Sequence, residues 1–408
     1  MRIAIFTENY YQGGLDTYII TLINNWPSSN DEFVLICNKS HPGIVRYERE
    51  INRKIDFIWH DHFLPDYFSD FIIKVFKSNL LMRIIRRLIG TFYFLLFLYY
   101  LIVLKRTLFK FDPDKLIVVN GGYPGGISCL SASVCWGLFK GENYSVHNFH
   151  NIAKPTTKYQ FIRNYIDFLV EKYSSYLVSV SDVASKSISG RISFKKTKKL
   201  SFIYNGIEFK DKKITKNVKN ELLISSETKV CLILGTYEAR KGHSFIFKVF
   251  KKVLSEYKNV HLISCGYGTK EEKDKVRALV KDQELEKYIH ILDFRSDINN
   301  LFAASDILLI GSQEYESFGL TAVEAMLFKI PVVATDVGGL KEVVKNDDGG
   351  YVFNKNDEIN YSRKVIELLK NENLRKVQGI KGNKRAERMF SARKMSQKYF
   401  EMLYIEND

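Results

Sequence analysis

The chain has 408 residues, 46% hydrophobic and 26% charged, which excludes a disordered or fibrous protein and supplies core for two domains, since single cores rarely grow past about 250–300 residues. Its five cysteines, Cys37, Cys129, Cys135, Cys231 and Cys265, are odd in number and scattered; they exclude a disulfide scaffold, lack metal-ligand spacing, and read as buried thiols in a reducing compartment. With 61 basic against 46 acidic side chains the net charge is +15, which suits nucleic acid, an anionic membrane surface or a phosphorylated substrate.

The opening MRIAIF is too short an apolar run for a signal peptide and reads as the start of a strand over residues 3–7. The polar loop 8–14 ends in Gly13-Gly14, where the helical pattern of 15–26 begins; the pair is either a plain strand-to-helix turn or a place where a ligand meets backbone. Runs at 33–37 and 55–59 are the next strands. Residues 67–110 then depart from a simple βα alternation. Residues 88–104, LIGTFYFLLFLYYLIVL, are 17 without a charge, closed by Arg86-Arg87 and Lys105-Arg106, and residues 71–111 hold eight basic side chains and no acid. Such a length is at the lower limit for a membrane span, and a span would put the two flanks of one domain on opposite sides of a bilayer. A buried core helix and a helix lying in the membrane interface both remain open; the aromatic content and basic flanks favour the second.

The sheet resumes at 116–119, followed by the glycine-rich loop 120–126. Asp112 and Asp114 precede this strand and read as a turn, not a metal site. A strand over 144–149 ends in His150-Asn151. A helix over 156–174, a strand over 176–180 and the helix cap Ser181-Asp182 follow, then the exposed basic turn Lys195, Lys196, Lys198 and Lys199, a strand at 200–204, and Asn205-Gly206-Ile207. The second half opens with a strand at 230–234, the loop 235–242, and a helix whose Phe245, Val249, Phe250 and Val253 keep helical spacing. Strands at 260–265 and 288–292 lead into Gly266-Tyr267-Gly268 and Asp293-Phe294-Arg295.

Residues 307–344 carry the most chemistry. A strand at 307–310, a polar loop 311–317, Phe318-Gly319-Leu320, a helix over 321–328, a strand at 331–334 and Gly338-Gly339 before a second helix make a βαβα unit, with its loops where open α/β sheets bind ligands. The helix start offers free N–H groups and a positive dipole end to a diphosphate, and Gly319 lets that backbone come close. Glu316 and Glu324 have seven residues between them. Either would repel a phosphate, so both suit sugar and ribose hydroxyls as acceptors; the plainer reading is a solvated loop Glu and a helix-surface Glu.

On ESFGLTAVE, EAM and PVVATDVGG this stretch resembles the nucleotide-sugar site of retaining glycosyltransferases of family 4. The resemblance implies α/β architecture: two Rossmann-like domains facing across a cleft (GT-B), here with an inserted basic and apolar helical segment in the first. It implies an acceptor-side domain over 1–205, a nucleotide-sugar domain over 206–385, and a helix over 386–408 that crosses back to the first. It also implies that Glu316 contacts the donor sugar and Glu324 the ribose, with donor contacts from the backbone of Phe318, Gly319 and Leu320. VHNFHN resembles the family's segment whose His faces the sugar, which selects His150 over His147. Gly13-Gly14 fall where the family approaches donor phosphates and acceptor. In the loop 235–242 the family supplies an Arg and a Lys to the diphosphate; Lys241 is retained, Thr236 stands at the Arg position, and Arg240 is the candidate second cation. Gly311 replaces a usual Pro, and Lys329 replaces the Gly that closes the motif helix.

The expected reaction is transfer of a hexosyl or N-acetylhexosaminyl group from a nucleoside-diphosphate sugar to a hydroxyl of a lipid-linked or lipopolysaccharide-type saccharide, with Glu316, His150 and Lys241 as catalytic residues. No metal or cofactor is expected beyond the donor substrate, since fixed cations can stabilise the leaving group. The enzyme is expected in the cytoplasm, peripheral on the inner membrane face through residues 71–111, without nucleic acid. The alternatives are a GT-B-like epimerase or phosphorylase and a non-catalytic nucleotide-sugar or nucleic-acid-binding subunit.

Overall fold

Strands that are apolar on both faces need cover on both sides, and parallel sheets wrapped by helices supply it. The computed structural model describes residues 1–9, 13–63, 92–140, 145–158, 160–208 and 213–404. It divides into one unit of Met1–Gly206 with Ala392–Asp408, and a second of Ile207–Ser391.

The first unit holds β1 (Arg2–Thr7), β2 (Glu32–Asn38), β3 (Ile55–His60), β4 (Lys115–Asn120), β5 (Ser145–Phe149), β6 (Tyr176–Ser179) and β7 (Leu200–Phe202) in the order β3-β2-β1-β4-β5-β6-β7. All neighbours are parallel, with Ile3 opposite Phe33 on one side and Lys115 on the other. The second holds β8 (Lys229–Leu234), β9 (Val260–Cys265), β10 (Ile289–Leu292), β11 (Ile307–Ile310), β12 (Val332–Thr335) and β13 (Gly350–Phe353) in the order β10-β9-β8-β11-β12-β13, also parallel. Each order reverses beside its first strand, and the crevice at such a switch point is where open α/β sheets take ligands. Both units are therefore Rossmann-like.

On one face of the first sheet the helix Gly14–Asn24 packs with Ala392–Tyr404. Ile19, Leu22, Ile23, Tyr399 and Leu403 are buried there, Asn148 Nδ2 donates to the Tyr399 hydroxyl at 2.7 Å, and Ser396 Oγ donates to Leu22 O at 3.0 Å. The opposite face carries helices Tyr93–Leu108, Ile127–Lys140 and Phe161–Tyr173. The central one is buried from Ile127 to Gly137. Its Gly137 lies so close to the third helix that a β-carbon would come within 2.5 Å of Tyr173 Cβ.

The helix Tyr93–Leu108 turns Phe97, Tyr100, Leu104 and Leu108 into this core, a spacing of three and four residues that makes one helical stripe. Phe94 and Leu101 pack partly against the same cluster, while the other side stays exposed. The run thus supplies a core helix on one face, and the opposite face is exposed. Among the described residues no helix is long and apolar enough to cross a membrane. Residues 88–91 and the basic Lys74, Lys77, Arg83, Arg86 and Arg87 lie outside the described residues.

Several elements do not follow the sequence pattern. β13 is four residues, GYVF, too short a run to be singled out in the sequence. The helix expected over 156–174 starts at Phe161, after Pro155 and an N-cap at Gln160. The short helix Ile44–Glu50 buries only Tyr47, too little to leave a pattern. The motif helix ends at Leu327, and Lys329 adopts the left-handed conformation, φ 58°, while Ile330 N donates to Ala325 O and Lys329 N to Met326 O. That is the Schellman closure glycine usually makes; the departure from glycine changes the residue and keeps the geometry.

One polar contact crosses the core of the first unit. Arg191 donates from Nε and Nη2 to the two oxygens of Asp167 at 2.8 and 2.9 Å, and from Nη1 to Lys154 O at 2.6 Å, with side chains only 2% and 1% exposed. The Tyr123 hydroxyl also donates to Asp167 at 3.3 Å, which ties the loop 120–126 to the helix Phe161–Tyr173. Breaking one partner of such a pair strands the other charge in a low dielectric, so Arg191→Ala is expected to lose about 3–5 kcal/mol of stability. Urea unfolding measures it; a loss under about 1 kcal/mol would mean that water reaches Asp167.

Candidate active site

Two loops of the second unit, leaving adjacent strands β8 and β11, are pressed together at their backbones. Gly242 sits in the left-handed region at φ 73°, and a β-carbon there would lie 1.8 Å from Gly311 O. At Gly311 a β-carbon would meet Ile246 at 2.6 Å, so the replacement of the usual Pro lets the helix His243–Glu256 approach the loop. The short 3-10 turn Ala239–Lys241 then delivers Lys241 to Glu316, Nζ to Oε2 at 2.6 Å, with 22% and 17% side-chain exposure.

Glu316 is also fixed from behind. Gly339 N donates to Glu316 O at 2.8 Å, and Gly338, at φ 59°, stands where a β-carbon would be 2.1 Å from that oxygen. Gly338-Gly339 thus acts as a backbone brace for the carboxylate's residue. Ser312 Oγ lies 3.4 Å from Glu316 Oε2, and Thr335 Oγ1 donates to Ser312 O at 2.7 Å. Lys241, Ser312, Glu316, Gly319 and Thr321 line one small cleft at the β8/β11 switch point. Ser312 and Thr321 went unnoticed in the sequence because a lone hydroxyl beside a motif leaves no pattern.

Gly319 is the N-cap of the helix Leu320–Leu327, and the amides of Leu320 and Thr321 have no hydrogen-bond partner among the described residues. These are the orphan donors of a helix start, suited to an anion. The Phe318 side chain turns inward, 2% exposed, edge-on to Phe390 at 5.4 Å; only its backbone is available to a ligand. Arg240 differs from Lys241: it donates from Nε and Nη2 to Glu238 at 2.6 and 3.2 Å and lies over the Tyr315 ring at 4.8 Å. Thr236, at the family's Arg position, donates to the same Glu238 at 2.7 Å. Glu324 has no side-chain hydrogen bond or ion pair among the described residues, and burial raises its carboxyl to about 7.

In the first unit, Gly13 and Gly14 open the helix Gly14–Asn24, and a β-carbon on either would meet nothing within 4 Å among the described residues. Internal packing therefore does not call for glycine at either position. A residue missed in the sequence holds this turn. The buried Asp16 carboxylate accepts from Gly13 N at 2.9 Å, Asn9 Nδ2 at 2.7 Å and the Tyr47 hydroxyl at 2.7 Å, with His41 Nε2 at 2.9 Å. Burial works to raise this carboxyl, but the bonds from His41, Tyr47 and Gly13 outweigh it and hold it below its ordinary value. An acid in a helix's first turn reads as a routine dipole partner, which is why it did not stand out.

His150 follows β5, edge-on to Tyr18 at 4.3 Å; its Nε2 is buried with no hydrogen-bond partner among the described residues, and burial pushes it down to about 3, so the ring is neutral. His147 is a core residue, its Nδ1 2.8 Å from Ser133 Oγ and its Nε2 3.4 Å from Asn120.

Residues 214–385 match the family model described as glycosyl transferases group 1. N-acetyl-alpha-D-glucosaminyl L-malate synthase of Bacillus anthracis is 28% identical over 212 residues, 52% of this chain and 55% of the relative, so the match spans about half of that protein. The capsular polysaccharide biosynthesis glycosyltransferase CapM of Staphylococcus aureus is 24% identical over 303 residues, 71% of this chain and 77% of the relative. The crystal structure of Anabaena Alr3699/HepE in complex with UDP and glucose is similar with a TM-score of 0.73 at 16% identity, covering 99% of both chains. The fold is that of GT-B glycosyltransferases.

The isolated Glu324 makes a pH test. Its folded value, about 7, lies above the ordinary 4.5, so the unfolded chain releases the proton first and the fold loses stability as pH rises through that window. Glu324→Gln does not titrate and should be more stable than the parent above pH 7, by on the order of 1–3 kcal/mol, with the gap closing toward pH 5. Urea midpoints at pH 5 and pH 8 decide it, and a gap independent of pH would refute the raised value.

Proposed function

We propose that this protein transfers a sugar from a nucleoside-diphosphate sugar to a hydroxyl acceptor, with retention of anomeric configuration, in polysaccharide or glycolipid synthesis. The observation that carries this reading is the Lys241–Glu316 pair at 2.6 Å beside a helix start with free amides. One cation and one carboxylate stand where a diphosphate and a sugar hydroxyl can be held side by side. The match of residues 214–385 to the group 1 glycosyl transferases supports it, as does the UDP and glucose bound by the Anabaena protein of the same fold.

In this reading Lys241 and the amides near Gly319 take the diphosphate, whose charge grows as the glycosidic bond breaks. Glu316 accepts a hydrogen bond from the donor sugar, and Glu324, which makes no side-chain bond among the described residues, takes the ribose. Arg240, already held by Glu238, contributes its charge. His150, neutral, and the backbone at Gly13-Gly14 serve the same donor. The chain offers no evident nucleophile, so front-side displacement, with the departing phosphate taking up the acceptor proton, accounts for retention. The acceptor is a lipid-carried saccharide, and the enzyme works at the cytoplasmic face of a membrane.

Glu316→Gln and Lys241→Ala should each slow transfer by on the order of a hundredfold or more, since both groups act on the reacting end of the donor. Turnover of a nucleotide-sugar panel scores this, and near-parental rates in both variants would sink the assignment. Gly14→Ala separates function from fold: with open space at its β-carbon it should melt within about 1 kcal/mol of the parent, or higher, yet lose most of its turnover. An active Gly14→Ala protein would remove the ligand role of this turn.

A further inference from the structure

The helix Tyr93–Leu108 exposes Leu95, Leu98, Tyr99 and Ile102, at 58%, 39%, 40% and 74%. Their spacing of three, four and seven residues places them on one face, opposite the buried Phe97, Tyr100 and Leu104. A second helix, more than fifty residues further on, repeats the arrangement. Phe161–Tyr173 exposes Phe161, Ile162, Tyr165 and Phe168 while burying Ile166, Asp167 and Val170. The sequence runs differ in character: the second is interrupted by Arg163, Asn164 and Asp167 and looks like an ordinary amphipathic helix.

The two helices meet at their N-terminal ends. Phe94 and Tyr165 have ring centroids 6.3 Å apart, and Arg163 lies over the Tyr93 ring at 5.9 Å. The helix between them, Ile127–Lys140, is buried until its end, where Leu138 and Phe139 emerge. There an open groove has Leu101, Phe109 and Leu138 among its walls and Lys105, Arg106 and Lys140 on its rim, with Lys105 Nζ 3.9 Å above the Phe139 ring. The three helices carry five cations, Lys105, Arg106, Lys140, Arg163 and Lys172, against two carboxylates, Asp167 and Glu171. Asp167 is already committed to Arg191 in the core, and Lys140 is paired with Asp112 at 2.9 Å, so the surplus rests on Lys105, Arg106, Arg163 and Lys172.

We propose that these two helices form one bipartite docking face for an anionic lipid bilayer. The apolar side chains enter the headgroup and acyl boundary while the cations meet lipid phosphates, and the pairing of the two signals gives firm attachment where either alone is weak. Charge complementarity selects this occupant. A two-fold interface with a second copy would set the same cations against themselves, and a nucleic acid would leave both apolar stripes without a partner. The proposal rests on the transferase reading only for why a membrane matters, because the acceptor is carried there.

The test is flotation of the full-length protein with vesicles of phosphatidylcholine, with and without phosphatidylglycerol. Binding is expected with the anionic vesicles and at low salt, and little with phosphatidylcholine alone. Two triple variants, Leu95→Ser with Leu98→Ser and Ile102→Ser, and Phe161→Ser with Tyr165→Ser and Phe168→Ser, change exposed positions only and should melt with the parent. Each should lower the bound fraction by about tenfold or more, as expected when one of two anchoring elements is removed. Lys105→Glu with Arg106→Glu, which leaves both stripes intact, should abolish the preference for anionic vesicles.

A parent that ignores anionic vesicles at low salt overturns the proposal. So does a Phe161, Tyr165 and Phe168 variant that binds like the parent, because the face would then not be bipartite. A parent that sediments as a dimer, made monomeric by the serine variants, also overturns it by assigning the face to a second copy. Nucleoside-diphosphate binding, measured on the same samples, keeps the readings separate: vesicle binding without nucleotide binding supports this proposal and sinks the transferase.

Discussion

At the C-terminal edge of the second sheet the loops after β8, β11 and β12 touch backbone to backbone, with no room for a single added carbon. Gly242 against Gly311 O and Gly338 against Glu316 O would meet at 1.8 and 2.1 Å if either glycine carried a side chain. Everything at the candidate site depends on that closeness. Lys241 and Glu316 are 75 residues apart in sequence, and their 2.6 Å contact exists because the turn after β8 and the loop after β11 are held together by main chain. A site held this way is positioned before any ligand arrives, which is the condition for electrostatic catalysis without reorganisation.

The charged groups around that edge divide into those already satisfied and those left wanting. Arg240 and Thr236 share Glu238, so the second cation of the loop is held by a carboxylate and is less free to move toward an anion. Lys241 is paired too, but with the carboxylate that the proposed reaction would turn to a sugar hydroxyl. Glu324 has no side-chain hydrogen bond or ion pair among the described residues. Its partly buried carboxyl, raised by desolvation, is of the kind that accumulates at functional sites. The first unit shows the opposite economy at Asp16, where four donors converge on one carboxylate and hold the Gly13-Gly14 turn.

The helix Tyr93–Leu108 combines two demands in one element. Its inward stripe completes the core beneath the first sheet, and its outward stripe exposes large apolar side chains without carboxylates. An all-apolar run of this kind cannot be assigned to core or surface by periodicity, because both faces look alike in the sequence. The second stripe, on Phe161–Tyr173, was hidden for a different reason: Arg163, Asn164 and Asp167 interrupt its apolar run, and Asp167 points inward to Arg191 while Phe161, Tyr165 and Phe168 point out, which departs from the usual pattern of charge outside and carbon inside.

Most of the strands and the βαβα order of both halves were legible in the sequence, because fully covered parallel strands are continuous apolar runs with turn signals between them. The motif around Glu316 and Glu324 was legible as a strand, a loop and a helix start. β13 and the helix Ile44–Glu50 were not, since four residues beginning with glycine and a helix with one buried side chain leave too little periodicity to detect. Lys329 looked like a break in the helix-closing rule, and only the surrounding hydrogen bonds show a lysine holding the left-handed position. Residue type and local spacing fixed which groups were available and which elements carried them. Whether Lys241 reached Glu316, whether Arg240 was free, what braced Glu316 and which face of an apolar helix met the core were decided by tertiary structure, because each depends on contacts between segments tens of residues apart that no local pattern encodes.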